Sequence, residues 1–448
     1  MSQAIKGVLA PPADKSITHR AILLSTIFKG RMHLVDPLMS DDTQSSLDCV
    51  RKLGVCVLEQ SLDNKMIVLQ GALGRFLQGG YALDFDCGNS GTTMRLLAGL
   101  CAGYKGVTRF AGDASLNKRD MARVLVPLSL MGVKYGFEGT AGCAPFHLMG
   151  NRPLDTCNIA LEIASAQVVS ALAFAALFGA RPITIAFPHP VRNHTTNMLL
   201  HLGIDIQESI RDSQCLLRVS PPDLVDLALD DIEICVPGDI SSAAFFMCYA
   251  AMVPGSDLLL RGVGLNPGRT LVVDVLTRMG ADIEVIDCRN AGLELVGDLR
   301  VRGGRALSSV EISADEIARG IDELPMLAFV MATCSGLSKV RGAQELRAKE
   351  SDRLRLMQAN LALLGVRMDI DPDNGDYYVC GQGDFAAFYR KGKSMVHAGA
   401  EFCTAGDHRL AMIGIMMQKL FAGLHVEAED CHSVSYPDFK KDLLLVSN

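Results

Sequence analysis

What most limits the folds open to this chain is a recurring joint, a short polar cluster that runs into an Ala/Leu/Met-rich stretch. P-A-D-K-S at Pro12–Ser16 and P-G-D-I-S at Pro237–Ser241 nearly repeat each other. The same character, without the same letters, returns at CGNSGTTMRLLAGL, ASAQVVSALAFAALFG, DELPMLAFVMAT and GDHRLAMIGIMM. With Lys15, Asn89, Ser165, Asp239, Asp322 and Asp407 as markers, the steps are 74, 76, 74, 83 and 85 residues. Self-similarity at a near-constant spacing marks a chain assembled from repeated supersecondary units, and six such units fit 448 residues.

A second marker fills the gaps. RKLGVCVLE, SLMGVKYGF, LHLGIDIQE, TRMGADIEV and LLGVRMDID each read as a helix end, a glycine and an alternating strand. Gly54, Gly132, Gly203, Gly280 and Gly365 are therefore expected just past helix ends, where a left-handed backbone costs glycine least. Each unit then runs strand, polar joint, apolar helix, strand, amphipathic helix ending in Gly, and strands, which predicts an α/β protein of two lobes with three units each. The near-repeat of P-x-D-x-S at 12 and 237 predicts that the chain crosses between lobes there, so that a short N-terminal strand joins the C-terminal lobe. Runs such as ALAFAALFGA are apolar nearly all round and belong in the middle of a lobe.

Composition narrows the function. Forty-three Lys plus Arg against fifty Asp plus Glu give a formal charge of -7, which argues against a surface that coats nucleic acid or anionic lipid. No apolar run approaches the roughly 18 residues of a membrane helix, and MSQAIKGVLAPPADKS lacks the apolar core of a signal peptide. A soluble, cytoplasmic protein is expected. The fourteen Cys are scattered without a C-x-x-C pair, and no two His stand at i, i+4. Reduced, mostly buried thiols and no metal site are the expectation.

Cationic and hydroxylic side chains are concentrated at the joints. Lys15, Ser16 and Arg20 load the first, Asn89, Gly91, Thr92 and Arg95 the second, and Ser165 and Gln167 the third. Arg119, Arg192, Arg347, Lys349, Glu350, Arg353 and Arg409 stand in further polar runs. Helix N-termini offer unpaired N–H groups and the positive dipole end, so such joints suit phosphate or carboxylate. Each residue alone has a plainer reading. Lys15 can be a solvated lysine, Lys349, Glu350 and Arg353 a solvated helix face, and Asp322 a helix cap. His194 and His408 read as hydrogen-bonded structural groups. G-N-S-G is not the G-x-S-x-G of an acyl-enzyme nucleophile, and no G-x-x-x-x-G-K-[ST] signals a P-loop.

Taken together, D-K-S-I-T-H-R, N-S-G-T-T-M-R, S-L-N-K-R, S-A-Q, I-D-E-L-P, L-R-A-K-E-S-D-R-L and G-D-H-R-L-A-M, in that order from Lys15 to Arg409, resemble the 5-enolpyruvylshikimate-3-phosphate synthase family over essentially the whole chain. The resemblance implies transfer of the enolpyruvyl group of phosphoenolpyruvate to the 5-hydroxyl of shikimate 3-phosphate, with release of phosphate, on the way to chorismate and the aromatic amino acids. It implies a two-lobed inside-out α/β barrel of six repeated strand-helix units. Lobe one would span 15–235, and lobe two 236–448 plus 1–14, the lobes closing over the substrates. It assigns shikimate 3-phosphate to Lys15, Ser16, Arg20, Ser165, the Ala166 backbone, Gln167, Arg192, Asp322 and Lys349. It assigns phosphoenolpyruvate to Lys15, Gly91, Arg119, Gln167, Arg353 and Arg409. Asp322 would be the general base, and Glu350 or Lys349 would protonate the methylene carbon. A monomer without metal or other cofactor is implied.

Two departures from the family pattern stand out. Val434 precedes Ser435-Tyr436-Pro437, where many members carry Lys. Ala166 and Arg192 resemble the family's second, glyphosate-tolerant class, whereas Gly91 stands where that class often has Ala. Two other readings remain open at this point. One is the related UDP-N-acetylglucosamine enolpyruvyl transferase, whose loop Cys could only be Cys101 or Cys143 here. The other is a non-catalytic anion-binding protein of the same fold.

Overall fold

All six polar joints become helix starts in the computed structural model, which describes residues 3–61, 65–212, 214–223, 231–292 and 294–447. The helices are Lys15–Leu24, Gly91–Cys101, Ala166–Ala176, Ile240–Met252, Leu324–Ala332 and His408–Leu420, named below by their first residues. Four of the starts are capped by the polar residue just ahead. Asp14 accepts from the Ile17 amide at 2.9 Å, Ser90 from Thr93 at 3.1 Å, Asp239 from Ser241 at 2.8 Å and Asp407 from Arg409 at 2.9 Å. Each bond satisfies a donor that the first helical turn leaves open. The Leu324 helix instead has Pro325 as its second residue, within the first turn, where a missing N–H costs nothing.

Past their first residues these helices are mostly core. Every residue of the Ile240 and Leu324 helices is buried, as their unbroken apolar character requires. The Lys15 and Ala166 helices both pack on the Gly91 helix, and the Ile240, Leu324 and His408 helices pack on one another. Gly99 permits the closest of these approaches, since a methyl there would overlap the Ala171 carbonyl oxygen.

Strands clothe these helices. Among the described residues there are five four-stranded sheets and one two-stranded ladder. Leu83–Asp86 pairs in parallel with Gly106–Ala111, which is antiparallel to Phe146–Gly150, which is antiparallel to Lys134–Phe137. The Gly91 helix is the crossover between the two parallel strands. The parallel pair at Asn158–Ala160 and Ile183–Phe187 brackets the Ala166 helix in the same way. At two places the parallel partner comes from far along the chain: Lys6–Leu9 pairs with Asp257–Gly264, and Asp231–Cys235 with Arg31–Val35.

The chain divides into two compact units, Ala13–Val236 with Asn290–Glu294, and Met1–Pro12 with Pro237–Arg289 and Leu295–Asn448. Asn290–Glu294 groups with the first of these units. There the Glu294 carboxylate accepts from Asn197 at 3.3 Å and lies 2.6 Å from His194 Nδ1.

Gly54, Gly132, Gly203, Gly280 and Gly365 all have the expected left-handed backbone, with φ of 102°, 85°, 76°, 92° and 76°. The reason is hydrogen bonding. At Gly54, Gly203, Gly280 and Gly365 the amides of Val55, Ile204, Ala281 and Val366 reach back to the carbonyls of Val50, Leu199, Leu276 and Leu361, which closes those helices in a Schellman turn that only glycine enters without strain. The thiols depart from expectation. All fourteen Cys are free, but only six are buried. Cys56, Cys235 and Cys288 are exposed because each lies on an outermost strand of its sheet. No helix among the described residues is long and apolar enough to cross a membrane.

Candidate active site

In the Ala13–Val236 unit, helix starts carry cations that are already oriented by neighbours. Lys15 opens its helix and places Nζ 2.9 Å from Asp42 Oδ2, with only 21% of its side chain exposed. It is not the solvated lysine of the plain reading. One turn on, buried Arg20 donates from Nη1 to the Ser16 carbonyl at 2.9 Å, from Nε to Thr195 Oγ1 at 2.8 Å and from Nη2 to Ser170 Oγ at 2.9 Å. That fork joins the Lys15 helix to the Ala166 helix and to the helix His194–His201. Ser170 and Thr195 also line a cavity of about 290 Å³, together with Arg192. One concave surface thus carries Arg192 and the hydroxyls that hold Arg20.

A second cluster forms around Gln167. Arg95 Nη1 donates to Gln167 Oε1 at 2.6 Å, and Gln167 Nε2 donates to Thr92 Oγ1 at 3.0 Å. Arg119 donates to Asn89 Oδ1 at 3.4 Å. Asn89 in turn donates to Asp113 at 2.6 Å. Burial works to raise the Asp113 pKa, but that bond, the Leu116 and Ser115 amides and Arg119 hold the carboxyl below its ordinary range. Gly91 lies against both arginines, since a Cβ there would sit 3.0 Å from Arg95 Nη1 and 3.3 Å from Arg119 Nη1. Ser165 precedes the Ala166 helix without using its side chain as a cap, so the hydroxyl and the first-turn N–H groups are available to an anion.

The other unit gathers Asp322, Lys349, Glu350, Arg353 and Arg409 into one ion-pair network. Asp322 Oδ1 is 3.5 Å from Lys349 Nζ and 3.3 Å from Arg353 Nη1, and Oδ2 is 3.9 Å from Arg409 Nη2. Arg353 Nη2 donates to Glu350 at 2.6 Å, and Nε donates to Asp407 Oδ2 at 2.7 Å. With 1% of its side chain exposed, Arg353 is a core guanidinium. Burial opposes its charge, yet Asp407, Glu350 and Asp322 outweigh burial and hold its pKa above the ordinary value. Burial likewise pushes Asp407 up, and Arg353 pulls it below the usual carboxylate range.

Two plain readings fall here. Lys349, Glu350 and Arg353 do not share a solvated helix face: Lys349 ends a 3₁₀ turn, and the next helix begins only at Arg353. Asp322 is not the helix cap, because Glu323 holds that position. Sequence reasoning left Asp42, Asp407 and Glu323 out of the site, and gave Arg95 no role beyond loading a joint. Asp407 was legible within G-D-H-R. Asp42 was not, since it lies 27 residues from its partner Lys15 and outside the joints. Among the described residues no group of three or more His, Cys, Asp or Glu could hold a metal ion.

Residues 1–443 match the profile of the family described as EPSP synthase (3-phosphoshikimate 1-carboxyvinyltransferase). The chain is 37% identical over 451 residues to the 3-phosphoshikimate 1-carboxyvinyltransferase of Alkaliphilus metalliredigens, covering 99% of this chain and 98% of that protein. It is 40% identical to the protein of that name from Alkalilimnicola ehrlichii, over 97% of this chain and 92% of the other. A solved EPSP synthase from Acinetobacter baumannii superposes with a TM-score of 0.81 at 32% identity, covering 99% and 96% of the two chains. The enolpyruvyl transferase NikO from Streptomyces tendae shares the fold alone, at a TM-score of 0.72 and 15% identity over 99% and 95%.

Proposed function

This chain belongs to the EPSP synthase family, and from that premise we propose how its two charged clusters carry out the reaction. The activity is that of a 3-phosphoshikimate 1-carboxyvinyltransferase: the enolpyruvyl group of phosphoenolpyruvate passes to the 5-hydroxyl of shikimate 3-phosphate, and phosphate leaves. In this reading shikimate 3-phosphate is bound by Lys15, Ser16, Arg20, Ser165, the Ala166 N–H, Gln167, Arg192, Asp322 and Lys349. Phosphoenolpyruvate is bound by Lys15, Gly91, Arg119, Gln167, Arg353 and Arg409. Two anions repel each other, and the fixed cations offset that repulsion while they hold the reacting atoms together.

The chemistry then needs two proton transfers. The 5-hydroxyl oxygen attacks C2 of phosphoenolpyruvate as its proton passes to Asp322. The methylene carbon takes a proton from Glu350 or Lys349, giving a tetrahedral intermediate. Loss of a methyl proton then restores the double bond as phosphate departs. The observation that carries this reading is Asp322 among Lys349, Arg353 and Arg409, all within 3.9 Å. A carboxylate so surrounded is positioned to accept a proton beside bound anions, which simple anion binding would not require. The recurring sheet order and the buried crossover helices support a six-repeat, two-lobed architecture. A cytoplasmic monomer is part of the same proposal.

The test is phosphate release with both substrates, with each omitted, and with UDP-N-acetylglucosamine in place of shikimate 3-phosphate. Release only with phosphoenolpyruvate and shikimate 3-phosphate is expected. Arg119→Ala should raise the KM for phosphoenolpyruvate, and a wild-type KM would remove Arg119 from that site. Asp322→Asn should bind shikimate 3-phosphate yet turn over slowly, and full activity would remove Asp322 as the base.

A further inference from the structure

Behind the Asp322 network lies a second buried chain of polar groups that the reaction as described does not use. Glu323 is 2% exposed and stands at the cap position of the Leu324 helix, yet its side chain makes no capping bond. It accepts a hydrogen bond from Ser241 Oγ and lies 3.9 Å from Arg409 Nη1. Ser241, also 2% exposed, accepts from Arg269 Nη2. Arg269 pairs with Asp239 at 2.9 Å and is 3% exposed. We infer that Glu323, anchored through Ser241 and Arg269, is a positioning residue that aims the Arg409 guanidinium at phosphoenolpyruvate. The inference rests on the anion-binding role of Arg409 proposed above.

Charge balance supplies the reason. Glu323 is a buried carboxylate whose hydrogen-bond donor, Ser241, carries no charge. A buried carboxylate without a counter-charge is strongly disfavoured, and Arg409 is the further cation beside Glu323. The attraction is mutual, so what stabilises Glu323 also restrains Arg409. The same Arg409 Nη1 meets the Asp322 carbonyl at 3.5 Å, and Nη2 lies 3.9 Å from the Asp322 carboxylate. All these contacts lie at or beyond the upper limit of hydrogen-bond length. Two carboxylates, one near each terminal nitrogen, therefore hold the guanidinium by charge while its N–H donors stay available to an incoming anion. Its 13% exposure leaves an approach for that anion.

The experiment is a double-mutant cycle on the full chain, with KM measured for each substrate. Glu323→Gln keeps the shape and the bond to Ser241 but removes the charge. It should raise the KM for phosphoenolpyruvate about fivefold, with kcat and the KM for shikimate 3-phosphate within about twofold of wild type. In an Arg409→Ala background the same change should add less than about twofold, because the residue it acts through is gone. An unchanged KM for phosphoenolpyruvate in Glu323→Gln, or a full fivefold effect without Arg409, overturns the inference. If Arg409→Ala has a wild-type KM, the anion-binding role of Arg409 falls, and this inference with it. Should Glu323→Gln not fold, Ser241→Ala removes the anchor and keeps every charge. A rise in the phosphoenolpyruvate KM alone then supports the inference, and equal changes in both KM values overturn it.

Discussion

One methyl group at Gly91 probes the cation cluster with little risk to the fold. Gly91 is the first residue of its helix and has no left-handed backbone, so alanine fits the main chain. The added Cβ would sit 3.0 Å from Arg95 Nη1 and 3.3 Å from Arg119 Nη1. Both are ends of flexible side chains, which move by a few tenths of an ångström instead of breaking the core. Alanine also gains up to about 1 kcal/mol over glycine in a helix, so Gly91→Ala should unfold within about 1 kcal/mol of wild type. Binding is more sensitive. Arg95 Nη1 is the same nitrogen that donates to Gln167 at 2.6 Å, and a hydrogen bond to a charged group is worth about 1.5–3 kcal/mol. Shifting Gln167 and Arg119 away from the enolpyruvyl donor so that phosphoenolpyruvate loses roughly 1 kcal/mol of its own contacts corresponds to about a fivefold rise in its KM. Phosphate release at saturating shikimate 3-phosphate, paired with thermal unfolding, measures both quantities. A KM within about 1.5-fold of wild type, at unchanged stability, would show that the arginines yield freely and would refute the argument.

Two further outcomes follow from burial. Asp407→Asn removes a fully buried partner of Arg353, so the urea transition should lose about 3–5 kcal/mol, and a loss under about 1 kcal/mol would contradict the buried-pair account. His19 is fully buried beside Ser46 Oγ, and burial, helped by Lys15 and Arg20 against Asp42, lowers its pKa from 6.5 to about 3. Below pH 6.5 the unfolded chain takes up a proton that the folded chain refuses. Stability from neutral His19 is therefore complete above that pH and declines as pH falls toward 3. Relative to His19→Gln, wild type should lose about 2 kcal/mol between pH 7.5 and pH 5, and a pH-independent difference would rule this out.

What could be read from sequence, and what could not, separates by range. Helix starts at Asp14, Ser90, Asp239 and Asp407 and the Gly-closed helix ends were legible, because capping and left-handed turns are decided by residues within one turn of each other. The Asp322 network was legible only through motif resemblance. Its geometry rests on Arg353, Asp407 and Asp322 meeting from three separate segments, and no local periodicity distinguishes a buried arginine from a solvated one. Glu323, Ser241 and Arg269 were invisible for the same reason. The thiols were misjudged because burial of a strand residue depends on whether its strand lies inside or at the rim of the sheet, which Cys spacing does not encode.

The exchange of parallel strands between distant parts of the chain has a consequence for biosynthesis. Lys6–Leu9 leaves the ribosome early, but its partner, beginning at Asp257, is roughly 250 residues behind. At about 5–20 residues per second that delay is on the order of 10–50 s. Within it the whole Ala13–Val236 stretch emerges, including Asp231–Cys235 and its mate Arg31–Val35. The nascent polypeptide can thus assemble most of one core while Lys6–Leu9 idles as an unpaired edge, open to chaperones or to mispairing until translation delivers the strand that receives it.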